Sequence, residues 1–303
     1  MRIAIVIPYF GKWPSYFNIY LKGCEGNPWL DVLFFTDCPI PAKHPANVHF
    51  FTSTLKETSD LITQKTGANV DLKFAYKLCD LKPFYGKVYE DFLKGYDYWG
   101  YSDIDLFYGN LEPFIFPRIK AGFDILSSRV ATVCGSFTIL KNSPAVCNLY
   151  QQIPNFSALL QSDKCEALDE TCWSDLSWKG ESKLKLPKAS FTYIAANADE
   201  NGSVKVSFTN ICREHVGGDE KLVYENHHVK VKDEEYAYFH YIHNKTKAEF
   251  KFPDWQNVPD KFYVTSTGFY TSTQFRFYTI MHSYRNLRGL IKRAKNKFFK
   301  PNS

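Results

Sequence analysis

Two aspartates after an apolar segment have the residue type and spacing that most directly indicate chemistry. Asp103 and Asp105 follow the aromatic run 98–101 and are separated by Ile104. Alternate side chains of an extended backbone share a face, so both carboxylates point one way while Ile104 points into the core. Adjacent carboxylates repel each other unless a cation lies between them, and hard divalent cations prefer carboxylate oxygens. The pattern predicts an Mg²⁺ or Mn²⁺ site that also takes substrate phosphate oxygens. A solvated turn is the alternative.

The segments before these aspartates predict an α/β fold with a mainly parallel sheet flanked by helices. Strands are predicted over 2–7, 32–37 and 48–51, and a helix over 13–22. Strands that alternate with helical patterns are typical of βαβ units. The first strand ends at Pro8, and ligands of open α/β sheets bind at such carboxyl ends.

The later segments continue the same alternation with weaker patterns. Residues 71–93 predict two helical pieces interrupted by a proline, and 179–235 predict short strands and loops. Gly135 lies inside a predicted strand, which indicates that a backbone or a ligand approaches closely there. The other predicted elements are strands at 123–127, 133–142 and 236–244 and a helix at 143–152.

Composition limits the classes of protein to consider. The chain has 303 residues, of which 45% are hydrophobic and 17% aromatic, enough for a sizeable core. Its eight cysteines form no C-x-x-C pair, which argues against zinc or thioredoxin-like sites. The apolar start is too short for a signal peptide, and no apolar run reaches the roughly 20 residues of a spanning helix. We expect reduced thiols and a cytoplasmic protein.

Positive charge is concentrated near the C-terminus. Nine of the 37 Lys and Arg residues lie in 261–303, which contains no Asp or Glu, so the first 260 residues have a net charge of −4. A nucleic-acid surface spread over the protein is therefore not supported. Apolar residues spaced three and four apart predict an amphipathic helix over 275–299. We divide the chain into a domain of residues 1–260 and a basic C-terminal helical tail of residues 261–303.

The order of the motifs resembles the GT-A fold (a Rossmann-like fold) of nucleotide-sugar-dependent glycosyltransferases. It is closest in pattern to small bacterial enzymes of surface-polysaccharide (lipopolysaccharide O-antigen or capsule) synthesis, and the resemblance covers roughly the first 250 residues. The motifs that carry it are Thr36-Asp37, Lys77-Leu-Cys-Asp80-Leu-Lys82-Pro83, Ser102-Asp103-Ile-Asp105, Gly135, Asp169-Glu170 and His240-Tyr-Ile-His243-Asn244-Lys245.

The resemblance implies contacts with the nucleotide part of a UDP-sugar donor for one group of residues. These cofactor-binding candidates are Pro8, Tyr9, Phe10, Asp37, Lys77, Asp80, Lys82, Asp103 and Lys245. Among them, Lys245 would lie near the diphosphate. A solvated helix face is the alternative interpretation of the Lys77 and Asp80 positions.

The metal ion, Mn²⁺ or Mg²⁺, has its implied ligands in Asp103, Asp105 and His240, with Asp105 the more direct carboxylate. His243 is the alternative histidine, and a satisfied core histidine is the alternative interpretation of His240.

Asp169 and Glu170 are the implied catalytic residues. In an inverting enzyme a carboxylate removes the proton of the acceptor hydroxyl while that hydroxyl attacks the anomeric carbon. Asp175 is the fallback base. Helix capping is the alternative role of the Asp169-Glu170 pair.

The resemblance implies an inverting, metal-dependent transfer of a galactose- or N-acetylglucosamine-type hexose from a UDP-sugar to a hydroxyl of a growing bacterial surface glycan. The implied partners are the donor, a glycan acceptor that can be lipid-linked, and the inner face of the cytoplasmic membrane, which the basic tail would contact. A retaining enzyme of the same fold, a metal-dependent nucleotidyl or phosphoryl transferase, and a non-catalytic glycan-binding protein are the alternatives. The second of these is disfavoured because residues 8–12 lack a glycine-rich phosphate loop.

Overall fold

The structure, a computed structural model, describes residues 1–218, 220–276, 278, 279 and 288. The strands in these residues are β1 Ile3–Tyr9, β2 Leu30–Thr36, β3 Val48–Thr52, β4 Tyr98–Ser102, β5 Leu106–Tyr108, β6 Ile125–Ser127, β7 Phe137–Lys141, β8 Val206–Phe208, β9 Cys212–Arg213, β10 Leu222–Glu225, β11 His228–Val231, β12 Glu234–Tyr236, β13 Tyr238–His240, β14 Lys261–Thr265 and β15 Gly268–Thr271. The α-helices are α1 Phe17–Glu25, α2 Leu55–Thr66, α3 Tyr85–Val88, α4 Glu112–Lys120, α5 Pro144–Cys147, α6 Phe156–Gln161, α7 Phe191–Glu200 and α8 Ile242–Lys245. Short 3-10 helices span Ala75–Phe84, Leu149–Gln152 and Lys183–Lys185.

Seven strands form the main sheet in the order β3-β2-β1-β4-β7-β6-β8. Only β7 runs against its neighbours β4 and β6; the other neighbouring pairs are parallel. The predicted α/β architecture with a mainly parallel sheet is thus confirmed. Across the sheet, β2 and β3 lie in sequence order on one side of β1, whereas β4 lies on its other side. Ligands of open α/β sheets bind at the carboxyl ends of strands where the order reverses.

Both faces of the sheet are buried. Along β1, Ala4 and Val6 pack into one apolar cluster, while Ile3, Ile5 and Ile7 pack into another. This alternation follows from the two-residue period of a strand, and a strand buried on both faces has a continuous apolar sequence. The sheet is therefore a rigid platform whose strand ends hold the loops that follow them.

Two smaller sheets lie beyond the main sheet. Strands β5, β13 and β9 form one, in which β13 is antiparallel to β5 and parallel to β9. The order β12-β11-β10-β14-β15 forms the other. An aromatic cluster that includes Phe107, Phe239 and Phe262 packs between them. The three-stranded sheet brings chain segments more than 100 residues apart next to the Asp-x-Asp pattern.

Several elements differ from the sequence predictions. Helix α2 was not predicted, although its capping box is visible in the sequence: the Thr54 side chain accepts from the Glu57 amide, and the Glu57 carboxylate accepts from the Thr54 amide at 2.8 Å. The stretch predicted as short strands and loops contains helix α7. The strand predicted over 236–244 divides into the end of β12, β13 and the helical turn α8, because the chain turns at Tyr241.

The predicted C-terminal tail begins with strands. Strand β14 pairs with β10 and β15 pairs with β14, so residues 261–271 complete the five-stranded sheet. Most of the amphipathic helix predicted over 275–299 lies outside the described residues. Among the helices that are described, none has the length and apolar character needed to cross a bilayer.

Candidate functional site

A cavity of about 580 Å³ opens at the carboxyl ends of β1 and β4. This is the edge at which the strand order reverses. Of the residues predicted for the site, those that line the cavity are Pro8, Tyr9, Phe10, Lys82, Asp103, Asp105, Asp169, Glu170, His240 and Lys245. Residues from five separate parts of the chain therefore meet in one place.

The two aspartates occupy the connection between the main sheet and the three-stranded sheet. Strand β4 ends at Ser102 and β5 begins at Leu106. The Asp103 amide donates to the Ser136 carbonyl at 3.0 Å, which holds this connection against the start of β7. Ile104 is buried and both carboxylates line the cavity, but the three residues lie between two strands and not within one, and Ile104 also borders the cavity.

The pairing of β13 with β5 places His240 beside the aspartates. His240 is the register partner of Leu106, the residue after Asp105. One ligand atom from each of Asp103, Asp105 and His240 lies within 4.8 Å of the others. The Nε2 atom of His240 is 3.3 Å from Asp105 Oδ1 without hydrogen-bond geometry, so this buried nitrogen has no hydrogen-bond partner among the described residues.

Glu214 holds the other nitrogen of the same imidazole. His240 Nδ1 lies 3.0 Å from Glu214 Oε1 and donates its N–H to that carboxylate, so Nε2 is the nitrogen that faces the aspartates, where a bound metal ion would replace its proton. Glu214 is held in turn by Arg129, whose Nε donates to Oε2 at 3.1 Å. Strand β9 pairs in parallel with β13, and Arg213 lies opposite Phe239. Glu214 and His240 are the next residues of the two segments, so they lie side by side.

The charges at the cluster are strongly coupled. Burial disfavours the imidazolium, but contacts with Asp105 and Glu214 outweigh it and raise the pKa of His240 to about 10. Burial raises the pKa of Glu214, but His240 and Arg129 outweigh it and lower that pKa to about 2. For Asp105 too, His240 and Lys245 outweigh burial and hold the pKa well below its usual range. The cluster thus attracts positive charge.

These residues fit a hard divalent cation. Carboxylate oxygens are the ligands that Mg²⁺ and Mn²⁺ prefer, and the imidazole, a ligand of transition-metal ions, favours Mn²⁺ of the two. A histidine that binds a metal through one ring nitrogen commonly donates the N–H of the other nitrogen to a carboxylate. His240 has this arrangement, because Glu214 holds Nδ1 and Nε2 faces the aspartates. His243, the alternative histidine, is exposed and does not line the cavity.

Two lysines add positive charge to the cavity wall. Lys245, on the helical turn α8, places Nζ 2.5 Å from Asp105 Oδ2 and is one-third exposed. Lys82 is buried and donates to Asp103 Oδ1 at 2.8 Å and to the Gly135 carbonyl at 2.9 Å. Its Nζ also lies 3.3 Å from Asp169 Oδ2, so Lys82 connects the metal candidates to the base candidates.

The base candidates differ in how freely they can act. Glu170 Oε1 accepts from the Gly135 amide and from Arg129 Nη1, each at 2.7 Å. Asp169 is buried, and burial raises its pKa to about 7 against the opposing effect of Lys82. A Cβ at Gly135 would lie 2.6 Å from Asp169 Oδ2, so the close approach predicted at this glycine is made by the two carboxylates.

Lys77 and Asp80 correct the expectation that the whole Lys-Asp-Lys segment faces the cleft. Both are buried, with Lys77 Nζ 2.9 Å from Asp80 Oδ2, and neither lines the cavity. Lys77 donates to the carbonyls of Leu159 and Lys164, and Asp80 accepts from the amides of Glu166 and Leu168. The pair therefore fixes the segment that leads into Asp169.

Asp37 and Asp175 lie outside the cavity as well. Asp37 is exposed and accepts from the Gly11 amide at 2.7 Å, so it holds the loop after β1. Asp175 is exposed and pairs with Lys179 at 2.6 Å. Neither side chain contacts the Asp103–Asp105–His240 cluster.

Sequence reasoning missed Glu214 and Arg129. Arg129 follows the end of β6, and a charged residue after a buried strand is a signal that could have found it. Glu214 follows a strand of two residues within an irregular stretch, and no periodic pattern marks it.

Comparisons with known proteins add a family. The mouse xyloside xylosyltransferase 1 structure, in its apo form, is similar at 12% identity with a TM-score of 0.33, over 71% of this chain and 87% of that chain. No curated protein sequence matches this chain. Residues 5–273 match the family described as "Family of unknown function (DUF6625)". This match spans most of the chain, including β1 through β15 almost entirely, and the chain therefore belongs to the DUF6625 family.

Proposed function

We propose that this chain is a metal-dependent glycosyltransferase that takes its sugar from a UDP-sugar. The observation that carries the proposal is the Asp103–Asp105–His240 cluster, whose buried Nε2 has no hydrogen-bond partner in the described part of the chain and which faces a cavity large enough for a nucleotide sugar. The order of the sequence motifs, which resembles that of GT-A glycosyltransferases, agrees with it.

The proposed donor lies across the carboxyl ends of β1 and β4. Pro8, Tyr9 and Phe10 would contact the uracil, and Asp103 the ribose, as the resemblance implies. A bound Mn²⁺ or Mg²⁺ would supply a Lewis acid for the diphosphate oxygens. Lys245 reaches the same place, because its side chain is one-third exposed and lies beside Asp105 in the cavity. Its role is to stabilise the negative charge that develops on the leaving diphosphate.

The proposed base is Asp169. The reaction requires a group that removes the proton of the acceptor hydroxyl while the oxygen bonds to the anomeric carbon and the UDP oxygen leaves. A base is most effective when its pKa lies near the working pH, and burial raises that of Asp169 to about 7. The Glu170 carboxylate already accepts hydrogen bonds from the Gly135 amide and from Arg129. We therefore assign Glu170 to holding the turn beside Gly135 and not to removing the proton. Asp169 on the far face of the sugar would give inversion of configuration.

The finer identity of the substrates follows from the resemblance alone. We propose a galactose- or N-acetylglucosamine-type hexose as the transferred sugar and a growing bacterial surface glycan as the acceptor. A lipid-linked acceptor would lie at the inner face of the cytoplasmic membrane, where the basic residues of 290–303 would hold the enzyme by contact with anionic lipid.

A calorimetric titration with UDP tests the proposal. We expect UDP to bind with Mn²⁺ and to bind at least about tenfold more weakly without it, a difference of 1.4 kcal/mol. Asp105→Asn should remove the effect of Mn²⁺, whereas Asp60→Asn, an exposed aspartate of α2, should leave it unchanged. Hydrolysis of UDP-galactose, UDP-N-acetylglucosamine and UDP-glucose would then identify the sugar. UDP affinity that does not depend on Mn²⁺, or that is intact in Asp105→Asn, would contradict the proposal.

A further inference from the structure

Exposed aromatic side chains concentrate at the mouth of the cavity. Among the described residues, four large aromatic side chains are exposed, and Tyr76 and Trp173 line the cavity at 62% and 67% exposure. A third, Trp178, packs over the guanidinium of the cavity residue Arg129, at 5.4 Å from the ring centre. We call Tyr76, Trp173 and Trp178 the aromatic rim. Exposed apolar groups gathered in one place indicate a binding surface rather than chance.

The backbone that carries Trp173 is strained. Cys172 and Trp173 have φ values of +52° and +63°, and Ala167 has +52°. Bulky side chains rarely adopt this left-handed region, and such strain is found where function requires a fixed geometry. The indole Nε1 donates to the Cys165 carbonyl at 3.1 Å, which fixes the ring in the orientation that leaves it exposed.

The charges near the rim select against an anionic occupant. Trp173 belongs to the same turn as Asp169 and Glu170, two carboxylates that line the cavity. The two cations beside this turn are already paired: Arg129 binds Glu170 and Glu214, and Lys82 binds Asp103 and lies 3.3 Å from Asp169. A phosphate here would face carboxylates with no free cation among the described residues that line the cavity at this turn. A neutral ligand with many hydroxyl groups has no such conflict.

We propose that the aromatic rim is the acceptor subsite and that it binds a neutral pyranose ring. One face of a pyranose presents C–H groups, which pack against the face of an indole or phenol, while its hydroxyl groups bond to carboxylates at the edge. Trp173 and Asp169 belong to one turn and line the same cavity, so a sugar on this ring would have hydroxyl groups on the side of the cavity where that carboxylate lies. The inference rests on the proposed function, and it adds where the acceptor binds and that the sugar ring bound there is uncharged.

Saturation-transfer NMR with the full-length protein, UDP and Mg²⁺, which unlike Mn²⁺ is diamagnetic and does not broaden nearby resonances, tests the subsite. The probes are the methyl α- and β-pyranosides of glucose, galactose, mannose and N-acetylglucosamine. We expect at least one to bind with its ring C–H protons nearest the protein. Trp173→Asn, which removes the ring but tolerates the left-handed backbone, should weaken this binding about tenfold or more, as loss of a central aromatic contact does. Trp173→Phe should retain most of the binding, and Ile40→Asn, an exposed site away from the cavity, should retain all of it.

The indole N–H resonance of Trp173 in ¹⁵N-labelled wild-type protein is a second measurement that needs no ring deletion. We expect it to shift when the bound pyranoside is added. If UDP binds with Mn²⁺ but no pyranoside binds, or if binding survives Trp173→Asn and leaves the indole resonance unmoved, the subsite is overturned while the proposed function stands. If UDP itself shows no Mn²⁺-dependent binding, the proposed function fails first.

Discussion

The Nδ1 atom of His240 lies 3.0 Å from Oε1 of Glu214, and this contact decides which nitrogen of the imidazole faces Asp103 and Asp105. A histidine that ligates a metal ion commonly donates its other N–H to a carboxylate, which fixes the tautomer and the ring orientation. Glu214 therefore supports the proposed metal site without being a ligand itself.

Glu214→Gln should weaken Mn²⁺ binding. The amide is a poorer acceptor than the carboxylate and can also present N–H groups to Nδ1, which would favour the wrong tautomer. We expect the Mn²⁺ dissociation constant, measured by calorimetry, to rise about 10- to 100-fold, as for other supporting residues of metal sites. Glu235→Gln is the matched control, since Glu235 also binds a histidine, His228, at 2.6 Å on the outer sheet. Equal Mn²⁺ affinity in the two variants would show that Glu214 has no such role.

The local part of this site could be predicted from the sequence, and the long-range part could not. Asp103 and Asp105 stand out because a period of two and an apolar run define their strand. The resemblance selected His240, but Glu214 depends on the pairing of two very short strands, β9 and β13, whose register no local pattern fixes. Helix α2 is a different case, because its Thr54–Glu57 capping box is a local pattern that marks the start of the helix in the sequence itself.

The difference between local patterns and long-range contacts also explains why the burial of the Lys77–Asp80 pair was not predicted. The i, i+3 spacing shows that the two side chains can meet, but it does not show whether the shared face is solvated, buried or lining a cleft. Burial is decided by the segment 159–168, which packs over the pair and supplies its hydrogen-bond partners. That segment has no strong periodic pattern, so its position could not be predicted.

Asp169→Asn should remove most of the transferase activity while leaving UDP binding intact. The amide cannot take the acceptor proton, so we expect kcat to fall by about 10²-fold or more and the dissociation constant of UDP to stay unchanged. Asp175→Asn is the control and also tests the fallback base, because Asp175 is an exposed aspartate of the same region. Loss of activity in Asp175→Asn but not in Asp169→Asn would reverse the assignment.

The pH dependence of activity follows from the raised pKa of Asp169. Because burial raises that pKa to about 7, the ionised base is lost as the pH falls below 7, and kcat should fall with it.

The free energy of unfolding depends on Asp169 in the opposite direction. The folded state retains the Asp169 proton above its ordinary pKa of 3.8, so this group's contribution to stability decreases as the pH rises from about 3.8 to about 7. The melting temperature of wild type relative to Asp169→Asn should fall over this range, and a constant difference would contradict the raised pKa.

Deletion of residues 290–303 tests the proposed membrane contact. These residues lie outside the described part of the structure and include five Lys and Arg but no Asp or Glu. Each basic residue near an anionic surface contributes about 1 kcal/mol, so full-length protein should sediment with phosphatidylserine vesicles at low salt and dissociate at high salt. The deletion should abolish sedimentation and spare transfer to a soluble acceptor. Sedimentation that survives the deletion, or that full-length protein never shows, would rule out this contact.

Lys77→Met should destabilise the protein and loosen the segment that leads into Asp169. The Lys77 side chain is 2% exposed and binds Asp80 together with the carbonyls of Leu159 and Lys164, so its removal leaves the buried Asp80 carboxylate and two carbonyls without this partner. Removing one partner of a buried ion pair typically costs about 3–5 kcal/mol. We expect a lower melting temperature and faster proteolysis at residues 159–173.

Lys73→Met is the matched control for this prediction, because Lys73 pairs with Asp71 on the exposed side of the same region. An exposed ion pair contributes about 0–1 kcal/mol, so the control should melt close to wild type. A kinetic measurement separates loss of this anchor from a general loss of stability. At a temperature where Lys77→Met is still folded, we expect its kcat to fall more than its affinity for UDP. The reason is that the buried pair holds the turn of Asp169 and does not contact the metal cluster. Equal melting temperatures for the two variants, or loss of UDP affinity without loss of kcat, would show that the pair does not anchor the base.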